Sequence, residues 1–151
     1  MDDFTIKISI PTDDDGFIPL RCPKCGEYFK LPQSDIESDE VIDIHCPLCG
    51  LISDNYITED VLQLAETRAL NEFLGGLHRE MKSLERDNKK APLKIKVNKL
   101  QLEDEIPIRF IFDSMEIVDF ECCKKQGKIK YLLNYCGCYC PYCGEIQDGN
   151  K

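Results

Sequence analysis

The chain has 151 residues, no tryptophan, ten cysteines and a net charge of −9, enough for one domain or two small ones. No apolar run approaches the roughly 20 residues of a membrane span, and "MDDFTIKISI" lacks the basic, apolar and cleavage regions of a signal peptide. The reading is therefore a cytoplasmic protein, and in a reducing compartment ten cysteines point to metal binding rather than to a disulfide framework.

The elements follow in chain order. "FTIKISI" (4–10) alternates as a half-buried strand does, and "PTDDDG" (11–16) is a turn. Residues 17–57 hold "RCPKCG" and "HCPLCG" among short β-prone segments, "EYFKL", "VIDIH" and "LISDNYI". At Thr58 the period changes. Thr58 suits an N-cap, with Glu59 and Asp60 in the first turn. Val61, Ala65, Ala69, Phe73, Leu77, Met81 and Leu84 then recur at helical spacing, widened by Leu62, Leu70 and Leu74. This predicts one amphipathic helix over about 59–88, in which Gly75-Gly76 marks a kink or a close approach. After the linker "RDNKKAP" come alternating segments at 93–102, 106–113, 115–121 and 128–133, read as strands.

Cys22 and Cys25, with Cys46 and Cys49, offer two Cys-x2-Cys pairs. Each has proline after the first cysteine and glycine after the second. Such a turn aims both sulfurs at one ion, and four thiolates complete a tetrahedral zinc shell with Zn–S near 2.3 Å. A thioredoxin-type redox pair needs one such motif ahead of a helix in a βαβ unit. A rubredoxin-type iron site uses similar turns and stays open. His45, beside Cys46, is read as a strand histidine.

"CPKCG" with "CPLCG" resembles the zinc-ribbon superfamily over about 40 residues. The resemblance implies two metal-binding knuckles on hairpins and a three-stranded sheet, and it does not specify a function. A second, degenerate copy lies at 120–144. Cys140 and Cys143, with Pro141 and Gly144, form a full knuckle, whereas the partner half has adjacent Cys122 and Cys123. Cys122, Cys123, Cys140 and Cys143 are the expected second ligand set. Cys136 or Cys138 replacing one of the first two is the alternative, and Gly127 is weighed as the knuckle glycine of this half.

The expected fold is thus α+β and zinc-stabilised. An N-terminal ribbon (1–57) leads to the helix (58–90) and then to a C-terminal β unit with the second ribbon (91–151). Two Zn2+ ions are expected. Neither histidine, His45 or His78, accompanies a nucleophile signature, and no phosphate loop, G-x-S-x-G or H-E-x-x-H motif occurs. The expected role is a non-enzymatic adaptor or accessory subunit that contacts another protein, or a second copy, through the helix. Nucleic acid is the alternative partner. It would use Arg79, Lys82, Arg86, Lys89, Lys90, Lys94, Lys96 and Lys99, because residues 61–99 carry 9 basic against 5 acidic side chains. A redox or metal-responsive switch on the spare cysteines is a weaker reading.

Overall fold

The computed structural model describes residues 5–90, 92–109 and 114–149. It is a mixed α+β protein whose chain forms two compact units, Met1–Ser9 with Glu59–Ile108 and Ile10–Thr58 with Arg109–Lys151. These units cut across the segments 1–57, 58–90 and 91–151, because the two cysteine regions share one sheet.

In the cysteine-bearing unit, β1 (Phe17–Arg21) and β2 (Tyr28–Pro32) form one antiparallel hairpin, and β3 (Met115–Phe120) and β4 (Lys125–Lys130) form another. The hairpins join through β2 and β4 at a single register pair, Lys30 opposite Lys128, giving the order β1-β2-β4-β3. Pro19 faces Lys30 in one hairpin as Ile117 faces Lys128 in the other, so the sheet is built from two equivalent halves.

One face buries Leu20, Phe29, Leu31, Val118, Phe120 and Ile129. Strands β3 and β4 show the alternation of a one-sided sheet, whereas in β1 and β2 Phe17, Pro19 and Lys30 are buried on the other face as well. The Tyr56 ring meets Phe29 edge-on at 5.7 Å. Its hydroxyl donates to the Ile44 carbonyl at 2.5 Å and accepts the Ser53 N–H at 3.0 Å. This ties the loop that carries Cys46 to the core.

Opposed lysines repel. Asp13 lies between them, with Oδ2 at 3.3 Å from Lys30 Nζ and 2.8 Å from Lys128 Nζ. Burial by itself would raise the Asp13 carboxyl, but the hydrogen bonds from Lys128, the Phe17 N–H and Lys30 hold it at about 2.

A short helix α1 (Gln33–Ile36) follows β2. After β4 the chain turns into helix α3 (Tyr131–Cys136) where a strand over 128–133 was expected. The helix lets Leu133 pack on the core while Tyr131 and Tyr135, one turn apart, stack at 6.3 Å. Strands β5 (Cys138–Tyr139) and β6 (Ile146–Gln147) frame the last knuckle.

In the other unit, α2 runs unbroken over Glu59–Asp87, continued by a 3-10 turn at Asn88–Lys90. Gly75 and Gly76 lie inside it. Only Val61 and Leu64 of α2 are buried. The strands expected at 4–10, 93–102 and 106–113 do not appear among the described residues, with residues 4 and 110–113 lying outside these. Helix side chains instead hold Lys7 and the stretch between the last two segments. Asn71 Nδ2 donates to the Glu103 carbonyl at 2.8 Å, and its Oδ1 accepts the Glu103 N–H at 2.9 Å. Arg68 reaches the Glu105 carboxylate at 2.9 Å and the Lys7 carbonyl at 3.1 Å. No helix among the described residues is long and apolar enough to cross a membrane.

Candidate metal centres

Each hairpin tip of the sheet presents two cysteines, and a small separate turn supplies two more. Cys22 and Cys25 follow β1, and Cys46 and Cys49 lie in the turn closed by the His45–Ile52 bridge. Cys122 and Cys123 sit between β3 and β4, and Cys140 and Cys143 between β5 and β6. Within each set of four, all sulfurs lie within 4.8 Å of one another.

The separations identify the geometry. Cys22–Cys49 is 3.8 Å, Cys25–Cys46 3.4 Å, Cys123–Cys140 3.9 Å and Cys122–Cys143 3.5 Å. A tetrahedron with metal–sulfur bonds near 2.3 Å has edges of about 3.8 Å, whereas a disulfide needs about 2.05 Å. All ten cysteines are free. Both groups therefore fit a metal ion held by four thiolates.

Three of the four cysteine pairs share one backbone design. The N–H of the first cysteine donates to the carbonyl five residues on: Cys22 to Glu27, Cys46 to Leu51 and Cys140 to Glu145, at 2.8, 3.0 and 2.8 Å. The glycine N–H returns to that cysteine's carbonyl, from Gly26, Gly50 and Gly144, at 2.9, 2.8 and 2.8 Å. Those glycines have φ of 77°, 69° and 73°, the left-handed region that a side chain disfavours.

The fourth pair departs from this. Lys124 follows Cys123 as Gly26 follows Cys25, and Lys124 takes φ 53°. Lys124, not Gly127, thus occupies the glycine's place. Gly127 lies in β4, where an added Cβ would stand 3.0 Å from the Phe120 ring. Its role is to leave room for that ring against β4.

Electrostatics in the two centres follow from crowding. Burial alone would raise the Cys22 thiol, but the amides of Cys25 and Lys24 and the thiols of Cys25 and Cys46 bring it down to about 7. Cys46 goes up, because burial outweighs the amides of Cys49 and Leu48. Burial, then Cys140 and Cys143, push Cys122 up to about 12. Burial leads at Cys123 as well, with Cys143 adding to it, and the thiol rises to about 11. Four adjacent thiols cannot all ionise without a compensating cation, and a bound divalent ion removes that conflict.

Of the alternative ligands, Cys138 is buried in β5 and Cys136 is exposed at the end of α3. Neither joins a group of metal-ligand spacing among the described residues. His45 is also outside both sets. Its Nδ1 is buried and has no hydrogen-bond partner among the described residues.

What the sequence reading missed is the junction between the centres. The His45 N–H donates to the Pro141 carbonyl at 2.8 Å, and the Tyr139 N–H donates to the Pro47 carbonyl at 2.9 Å. The Tyr139 ring covers Gly50, where a Cβ would stand 2.8 Å from it, and the His45 ring covers Gly144, where a Cβ would stand 2.6 Å from it. A signal was present: in "HCPLCG" and "YCPYCG" a flat ring precedes the first cysteine of both turns.

No protein-family model matches the chain, and comparison with curated proteins and with solved structures also gives no significant match.

Proposed function

We propose that this chain is a non-enzymatic, zinc-stabilised assembly module of the zinc-ribbon type that acts in the cytoplasm. In this reading Cys22, Cys25, Cys46 and Cys49 hold one Zn2+, and Cys122, Cys123, Cys140 and Cys143 hold the other. A catalytic zinc keeps one position open for water or substrate, and four thiolates leave none. The ions would serve to fold the unit, and the partner-facing work would fall to α2.

The observation that carries the reading is the uncovered face of that helix. Leu62, Leu70, Phe73, Leu77, Met81 and Leu84 are all exposed, Phe73 at 66 % and Leu84 at 54 %. Apolar surface of this extent on a soluble chain marks an interface, here with another protein or a second copy of the chain. The Phe73→Glu, Leu77→Glu double variant should lose that association, seen as a fall in mass by light scattering or loss of a co-purifying chain. Both metal ions should stay bound. A wild-type chain that is monomeric and partner-free, with a double variant that unfolds, would show the stripe to be core.

A second reading has its own observation. Arg79, Lys82, Arg86 and Lys89, with Glu85 among them, border one open cleft of about 570 Å³, and Lys89, Lys94 and Lys96, again with Glu85, border another of about 330 Å³. A basic surface of this kind suits phosphate. Retention on DNA that falls steeply with salt, and that is lost on replacing Arg79 and Arg86 with alanine, would favour it over protein assembly.

A further inference from the structure

The two cysteine turns that the chain places face to face belong to different centres. Cys46–Cys49 completes the first and Cys140–Cys143 the second. Their contact is reciprocal: each turn receives, on its proline carbonyl, the N–H of the residue preceding the other turn. Each glycine is roofed by that same residue's ring, Tyr139 over Gly50 and His45 over Gly144. Tyr139 and His45 are adjacent in sequence to Cys140 and Cys46. The position of a ligand to one ion is therefore set by the folded turn around the other.

We infer that the two metal centres load and unload as a coupled pair, with His45 and Tyr139 as the residues that position each turn on its neighbour. This rests on the metal-binding reading above. A thiolate turn without its ion loses most of its folding energy. Emptying the first centre loosens Pro47 and Gly50, the seat of Tyr139, and so disturbs Cys140. Emptying the second loosens Pro141 and Gly144, the seat of His45, and so disturbs Cys46. Such coupling acts equally in both directions. Buried Cys22, Cys46 and Cys140 also belong to one apolar cluster with Phe29 and Phe120, so both groups of cysteines border a shared core.

The test strips metal from the loaded full-length chain with a graded zinc chelator under reducing conditions. Native mass spectrometry then reads the proportions of chains with no, one and two ions. At half-removal, two equal and independent sites leave about half of the chains with one ion, whereas a tenfold coupling leaves about a quarter. We expect a quarter or less for the wild type and for Tyr139→Phe, which keeps the ring. The His45→Ala, Tyr139→Ala double variant should still take two ions in excess zinc, and its one-ion form should rise to half or more.

A wild-type one-ion fraction of half or more overturns the inference while leaving the two sites intact. So does a double variant that keeps the scarcity of the one-ion form. A double variant unable to hold two ions also overturns it, since the rings would then build a site rather than link two. A wild-type chain that binds no metal fails the parent reading instead.

Discussion

Replacing Asp13 with asparagine tests how the two hairpins are held in one sheet. Lys30 and Lys128 face each other at the β2–β4 junction, and the Asp13 carboxylate sits within 3.3 and 2.8 Å of their ammonium groups. Its side chain is only 15 % exposed. The carboxyl is held near 2 against an ordinary value of 3.8. At about 1.4 kcal/mol per unit, that difference is worth roughly 2 kcal/mol of folding free energy at neutral pH. Asparagine keeps an oxygen to accept the Phe17 N–H, which Asp13 Oδ1 accepts at 3.0 Å, so the charge is the main loss. In urea, with a slope of about 2 kcal/mol/M, the midpoint of the metal-loaded protein should fall by about 1 M. Because the folded pKa lies below the unfolded one, the contribution is complete above about pH 4 and is lost as pH falls through about 2. The gap between wild type and variant should therefore stay constant from pH 8 to pH 5. A loss under about 0.5 kcal/mol, or a gap that changes within that window, would refute the reasoning.

Two further outcomes follow. Cys22→Ser or Cys46→Ser should lose at least one ion per chain and the ordered packing of Phe29 and Tyr56, because metal binding supplies folding energy on the order of 10 kcal/mol; a variant that stays folded by near-ultraviolet circular dichroism would show the first centre not to be structural. Lys124→Gly relieves a positive φ that costs a side chain about 1 kcal/mol, partly offset by glycine's unfolded-state entropy. It should raise thermal stability slightly, and a loss would mean that the Lys124 side chain holds the turn.

The two four-cysteine groups and the helix were legible because each writes itself locally. Two-residue cysteine spacing with proline and glycine fixes a turn, and apolar residues at spacings of three and four place α2 within a residue or two of its ends. The shared sheet was not legible. Its junction is one pair of opposed lysines, a contact that a pattern reading counts against pairing, and the neutralising Asp13 lies in a turn far away in sequence. The alternation at 93–102 misled: Leu93, Ile95 and Leu102 are exposed and no strand forms there. A strand needs a neighbour with free backbone groups, and none pairs with 93–102 among the described residues; just beyond it the helix side chain of Asn71 binds the Glu103 backbone. Gly127, weighed as a knuckle glycine, serves instead where the Phe120 ring packs on a strand, and a lysine takes the left-handed turn.

Elemental analysis of the purified full-length chain, reduced and never supplemented with metal, bears most directly on the central claim that both cysteine groups are closed metal centres. The account predicts two zinc ions per chain, with X-ray absorption showing four sulfurs about 2.3 Å from each. One ion per chain would remove a centre, iron would change the metal, and none, with all ten thiols free to react, would contradict the account.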